Sequence, residues 1–362
     1  MFRRPMTRLA TAVTAAGAIC ALGASAAVAA PSASWSGPGG PVPGAFTNDT
    51  PAISSIYFPG PIGQGQIVGW RGRGTAGHVF YRFRTASYNK GHWSKTGQVP
   101  GESTSSAPSF RWDYGHNALL AVWTGHADHH IWYSEGTTTL KGTIDWGTPT
   151  DLPNSVALTN TIAGPATFFP YHKNVVIVAW RAPFNHVRFA IGTPKGAGFS
   201  WSNSTVVPGN PPSPTSAHCT VDPCTSATPA VAEVSTSTGS GTLYFAWKQL
   251  GTNDIFYSSF TDNASTNWSK LVWSGPTQVP GAASSTGPAA SDTTLNGFGP
   301  LLLAYKGVAG THVWYQTLTG TTWSAPAVVP KTFTAVSPAL FLNVLATTTP
   351  TTVGNIILNH YV

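Results

Sequence analysis

From Pro51 onward, short apolar runs alternate with clusters of Gly, Pro, Asn, Ser and Thr, and the same order of runs keeps returning. Each unit opens on a proline and a small residue: Pro51-Ala52, Pro108-Ser109, Pro165-Ala166, Pro229-Ala230, Pro288-Ala289 and Pro338-Ala339. The intervals are 57, 57, 64, 59 and 50 residues, and the long one contains a Pro-rich insert over 210–224. A second, nearly continuous apolar run follows at 66–70, 118–123, 175–180, 243–247 and 301–305, which predicts strands buried on both faces. The third run alternates, as in His78-Val79-Phe80-Tyr81, His130-Ile131-Trp132-Tyr133, His186-Val187-Arg188-Phe189, Asp254-Ile255-Phe256-Tyr257 and His312-Val313-Trp314-Tyr315. A fourth begins at a tryptophan (Trp93-Ser94, Trp146, Trp201-Ser202, Trp268-Ser269, Trp323-Ser324). It ends at Val99-Pro100, Leu152-Pro153, Val207-Pro208, Val279-Pro280 and Val329-Pro330.

Four short strands per unit, without helices, predict an all-β chain in which each unit is one blade of a β-propeller. A lone four-stranded sheet has two apolar faces to cover, and a ring of such sheets covers both. The unit starting at Pro338 contains only the first two strands, with Asn355-Ile356-Ile357-Leu358 read as the second and His360 at its aromatic position. Its fourth-strand phrase stands at the other end of the chain, as Trp35-Ser36 and Val42-Pro43-Gly44. The expectation is therefore about six blades over 31–362, the last completed by the N-terminal segment, although no third strand is evident for it. Five closed blades with an appendage is the rival arrangement.

Composition narrows the setting. Arg3, Arg4 and Arg8 precede an Ala-rich apolar run to Val28, and Ala27-Val28-Ala29 offers a small-x-small cleavage site, so 1–30 reads as a secretory signal peptide. No later run approaches the roughly 18 apolar residues of a membrane span. Without the first thirty residues, sixteen basic side chains face twelve acidic ones with no basic stripe, which argues against nucleic acid. Charged residues make up only 9% of the chain, against roughly a quarter in an average globular protein. Ser, Thr, Gly and Pro therefore carry the surface, which suits an extracellular protein of many turns. Cys219 and Cys224 are close enough for a local disulfide, and no second ligand pair accompanies His218 to favour a metal instead.

The phrase Ala246-Trp247-Lys248, Asn253-Asp254-Ile255-Phe256-Tyr257, Trp268-Ser269 and Val279-Pro280-Gly281 resembles the repeats of propeller lectins, the fucose-binding lectins of the Aleuria and Photorhabdus type and the tectonins. A fainter similarity links Gly320, Thr322 and Trp323 to the Asp box of sialidase-like propellers, with Gln316 and Leu318 where Ser and Asp belong. The first resemblance implies sugar binding between blades. The second implies only a structural turn.

The second strand ends on an aromatic followed in most units by a base: Trp70-Arg71, Trp180-Arg181, Trp247-Lys248 and Tyr305-Lys306, with Thr124 after Trp123. Six to eight residues later stand His78, His130, His186, Asp254 or His312. An aromatic face with nearby N–H donors is the mixture that holds a pyranose, and several weak copies on a ring would bind glycans or polysaccharide by multivalency. The competing reading is that the rings fill the wedge between blades and the His/Asp side chains serve turns. No catalytic residues, cofactor or metal site is expected. No nucleophile elbow, zinc motif or phosphate loop is present, and no pattern pairs two of the carboxylates Glu102, Asp113, Asp128, Glu135, Asp145, Glu233 and Asp254. A propeller glycoside hydrolase and a protein-binding scaffold remain alternatives. His126, Asp128 and His130 would share one face of an extended segment, but they span a turn where polar residues are common.

Overall fold

The computed structural model describes residues 35–36, 40–74, 77–85, 91–158, 163–170, 173–208, 224–237, 240–263, 271–293, 299–342, 344–349 and 354–361. The expected signal peptide, His218, Cys219 and Trp268-Ser269 lie outside them. The described strands form six antiparallel sheets, each running from an inner first strand to an outer fourth. The first strands are Ala52–Phe58, Ser109–Asp113, Ala166–Phe168, Ala230–Ser237, Ala289–Asp292 and Ala339–Phe341. Each touches the first strand of the next blade, and Ala339–Phe341 touches Ala52–Phe58, which closes a six-bladed propeller about a central channel. No helix among the described residues is long and apolar enough to cross a membrane.

Each gap between neighbouring blades holds one apolar layer, and the repeat explains its composition. Ala118–Thr124, the second strand of blade 2, is buried along its whole length because one blade lies on each face. Val79–Thr85 alternates strictly between buried and half-buried side chains, as the third-strand pattern requires. In blades 1 to 5 the aromatic that ends the second strand leans on the preceding blade and shares a cluster with that blade's Val-Pro valine or leucine. The pairs are Trp70 with Val42, Trp123 with Val99, Trp180 with Leu152, Trp247 with Val207, and Tyr305 with Val279.

Two polar devices recur with the same period. Four residues before the opening proline stands a buried Ser or Thr whose hydroxyl accepts the N–H two residues on: Thr47, Thr104, Thr225, Ser284 and Thr334. Thr104 also donates to the Ser106 carbonyl at 2.8 Å, so its hydroxyl carries both polar groups of a buried turn. Thr104→Val is therefore expected to destabilise by about 1–3 kcal/mol in urea denaturation, because the isosteric methyl leaves the Ser106 N–H and carbonyl unpaired. The serine of Trp-Ser is the second device. Ser94, Ser202 and Ser324 accept from the third-strand N–H groups of Phe83, Ile191 and Thr317, and return their own N–H groups to the same residues. This clasp breaks the fourth strand in two, as in Gly198–Trp201 and Thr205–Val206.

Two strand assignments differ from the sequence expectation. Asn355–Tyr361 is the third strand of blade 6, and the second is Val344–Thr348. Ala339 pairs with Ala346 as Ala289 pairs with Ala304, so Thr347 occupies the place of the aromatic Tyr305 and the marker of a second strand is missing. The N-terminal segment does complete this blade, with Trp35 opposite Tyr361 and Pro41 opposite Ile357. In blade 4 the fourth strand starts at Trp273, which pairs with Phe260 in the register that Trp323 keeps with Leu318. Trp273 precedes buried Val279 by six residues, the spacing of Trp93, Trp146, Trp201 and Trp323 from their own anchors. Trp268 precedes it by eleven and does not fit.

Candidate functional site

The residues singled out by the repeat lie at the turns between second and third strands, one turn per blade, and are not drawn into a single site. Trp70, Trp123, Trp180, Trp247 and Tyr305 are all buried, with Trp247 wholly enclosed. Their rings offer no face to a ligand; they fill the wedges. Three of their polar atoms are also engaged, with Trp180 donating to the Val156 carbonyl, Trp247 to Gln249 Oε1, and the Tyr305 hydroxyl to Gln316 Oε1.

The bases that follow point to the other side of the strand and take partners within the fold. Arg71 pairs with Asp49 at 2.9 Å and reaches the Thr104 carbonyl. Arg181 donates to Asn185 Oδ1 and the Ser226 carbonyl, and Lys248 to Ser226 Oγ and the Thr252 carbonyl. Lys306 reaches Ser285 Oγ at 2.7 Å. The His/Asp position closes the turn with its carbonyl: His78, His130, His186, Asp254 and His312 accept from Gly72, Gly125, Ala182, Gln249 and Gly307. Among their side chains, His78 lies 3.2 Å from the Glu102 carbonyl oxygen, His130 pairs with Asp151 at 2.9 Å, and His312 packs on Phe333. Asp128 is also engaged, accepting from the His130 N–H and from Trp132 Nε1, as a polar turn does. Cys224 is buried beside this surface, paired across a bridge with His186.

The opposite end of the channel is different in kind. There the first strands end, and a cleft of about 420 Å³ opens between the hairpins of blades 2 and 3 and the inner strands of blades 4, 5 and 6. Arg111 crosses it. Its guanidinium lies 4.8 Å from the Phe168 ring centre and 4.7 Å from that of Phe341, so one cation is held between two aromatic rings from different blades. Asp113, Glu233 and Asp292 line the same space. Tyr114, 62% exposed, and Phe169 bring further aromatic surface to the rim. Gly241 makes room for Glu233: a Cβ there would lie 2.0 Å from Glu233 Oε1.

Electrostatics single out Asp292. Burial pushes its carboxyl up to about 6, against the opposing pull of Arg111, a backbone hydrogen bond and the Ser291 hydroxyl. Ser291 Oγ also accepts the Leu342 N–H at 2.7 Å, which ties blade 5 to blade 6 at the carboxylate. Burial lowers the pKa of Arg111, while Asp292, Tyr114 and Glu233 counteract that. The cleft thus combines a fixed cation, aromatic edges and a carboxyl that exchanges its proton near neutrality.

This grouping had a trace in the sequence that the motif reading passed over. Glu233 and Asp292 each stand four residues after the opening proline of consecutive units, and Arg111 stands three after its own. Charged residues within the first strand of a unit, where the other units carry small, hydroxyl or apolar residues, are the signal.

No protein-family model matches the chain, and no curated protein matches it in sequence. Among solved structures it is similar to the GH93 alpha-L-arabinofuranosidase of Fusarium graminearum in complex with arabinobiose, at 12% identity and a TM-score of 0.52, over 90% of this chain and 98% of that one. A point mutant of the NanB sialidase from Streptococcus pneumoniae is similar at 10% identity and a TM-score of 0.51, over 88% of this chain and 68% of that one. A mutant of the Aleuria aurantia lectin in complex with alpha-methyl-L-fucoside gives 14% identity and a TM-score of 0.44, over 79% and 97%. At such identities the likeness concerns the propeller architecture alone.

Proposed function

We propose that this propeller binds carbohydrate in the central cleft at the end of its channel, as a secreted lectin-like protein acting on glycans or polysaccharide. The observation that carries the reading is Arg111, clamped between Phe168 and Phe341 and surrounded by Asp113, Glu233 and Asp292. Guanidinium N–H groups and carboxylate oxygens bond sugar hydroxyls from both sides, and aromatic rims cover the apolar C–H face of a pyranose. A cleft of about 420 Å³ accommodates one or two sugar rings. This moves the ligand from the five repeated turns, whose aromatics are buried and whose bases are engaged, to one site on the axis. The signal peptide over 1–30 and a Cys219–Cys224 disulfide belong to the same proposal, since both suit an exported chain.

Glycan-array screening followed by calorimetry tests it. One saccharide per chain is expected, with affinity reduced at least about tenfold in Arg111→Ala and Glu233→Gln, the loss of one charged hydrogen bond. A stoichiometry of five or six per chain, or a glycan bound equally well by both variants, would return the site to the gaps between blades.

Asp292 favours a second reading, hydrolysis in the same cleft. A carboxyl titrating near 6 keeps its proton long enough to serve as a general acid, with Glu233 as the second carboxyl of the cleft. Release of reducing sugar that declines as pH rises above about 6, and vanishes in Asp292→Asn, is the expected outcome under that reading.

A further inference from the structure

We infer that Asp113, His116 and Glu135 form a binding site for a first-row divalent cation of the zinc type on the rim of the cleft. The donor atoms of these three side chains lie within 4.8 Å of one another, and among the described residues no other three His, Cys, Asp or Glu side chains converge in this way. Asp113 ends the first strand of blade 2, His116 belongs to the hairpin that follows it, and Glu135 comes from the third strand of the same blade. Strands one and three are separated in the sheet by strand two, so the hairpin has to fold back over its own blade to bring the imidazole between the carboxylates.

The hydrogen inventory of the cluster points to a cation. His116 Nδ1 lies 3.2 Å from Glu135 Oε1 and 3.0 Å from Asp113 Oδ2. A ring nitrogen carries at most one hydrogen, and the contact with the geometry of a hydrogen bond is the one to Glu135. Asp113 Oδ2 is left buried, on a side chain only 2% exposed, with no hydrogen-bond partner. Two carboxylate oxygens thus converge on one nitrogen that can serve only one of them. A cation among the three satisfies all of them at once.

The surroundings hold the donors in place. Asp113 Oδ1 accepts from the N–H groups of Gly115 and His116, at 2.7 and 3.3 Å, which turns Oδ2 toward the imidazole. The His116 ring packs on Phe199 of blade 3, with centres 5.3 Å apart. Gly115 lies so close to blade 3 that a Cβ would meet Asn174 Oδ1 at 2.4 Å. One imidazole with two carboxylates is a borderline donor set, suited to Zn²⁺ more than to Ca²⁺, which prefers an all-oxygen shell of six to eight ligands. The two approaches to His116 Nδ1, 3.0 and 3.2 Å, fall a few tenths of an ångström below the roughly 3.4 Å edge of a tetrahedron with bonds of about 2.1 Å, and the whole donor set lies within 4.8 Å.

Calorimetric titration of chelator-treated, untagged full-length protein with ZnCl₂ and separately with CaCl₂ tests the site. One Zn²⁺ per chain is expected at micromolar metal, with affinity reduced at least about tenfold in His116→Gln and in Glu135→Gln and unchanged in His130→Ala. A Zn²⁺-dependent rise in melting temperature, lost in the same two variants, provides a readout separate from heat. Absence of saturable Zn²⁺ binding, wild-type affinity in His116→Gln, loss of the equivalent in His130→Ala, or tighter binding of Ca²⁺ than of Zn²⁺ would each overturn the inference.

Discussion

Trp247→Ala is expected to destabilise the propeller by about 3–5 kcal/mol, the span found for emptying a fully buried aromatic site. Trp247 is wholly enclosed between blades 3 and 4, in one cluster with Val187, Val207 and Phe245. Neighbouring blades are tied to their own inner strands and cannot close a gap of that size, so the cavity persists. The change also removes the indole N–H that bonds Gln249 Oε1 at 3.1 Å, in a residue that is itself buried. Against a typical total of about 5–15 kcal/mol, this is a large part of the stability. Urea midpoints measure it, with Val272→Ala, on a side chain 86% exposed, as the silent control. A loss below about 1 kcal/mol would remove the wedge as the source of cohesion.

The second large effect has the opposite sign. Asp292→Asn is expected to stabilise the protein by about 3 kcal/mol at pH 7.5. Folding raises this carboxyl from 3.8 to about 6, so the folded chain holds a proton that the unfolded chain has released. Stability attributable to Asp292 is therefore full below about pH 4, falls as pH rises through the window between 3.8 and 6, and stays low above it. Asn resembles the protonated form and abolishes the loss, so the two proteins should coincide near pH 4 and separate toward neutrality. The same variant is expected to lose sugar affinity. A side chain that weakens its own fold at working pH is what a functional carboxylate in a channel of inner strands entails. Equal stability of the two proteins at pH 7.5 would show that water reaches Asp292 freely.

Period and strand count were legible in the sequence because propeller blades must bury two faces with the same residues at the same register. Val79, Ile131, Val187, Ile255 and Val313 are all wholly buried, and each is marked by the polar residue before it. The Ser/Thr four residues before the opening proline recurs with the same period but carries no apolar signal, and only the structure gives its hydroxyl a local task in the five described copies. Blade 6 was misread where Thr347 replaces the aromatic, and blade 4 where two Trp-Ser pairs compete for one position. The cleft was harder to see for a physical reason. Arg111, Glu233 and Asp292 come from three blades, the last 181 positions after the first, and only ring closure brings them together. The repeated bases were conspicuous because four blades place one at the same turn, where each takes a partner within the fold.

Ring closure by Trp35–Ser36 and Pro41–Phe46 against Asn355–Tyr361 has a temporal consequence. The earliest part of the folded domain to be synthesised is among the last to find its place, because its pairing partner is the final strand. Until then, blades 1 to 5 exist as an open arc with two apolar flanks, one on blade 1 and one on blade 5. An arc of this kind is prone to capture a neighbour's terminal segment at high concentration, and the resulting linked rings would keep every blade intact while changing only which chain supplies the clasp.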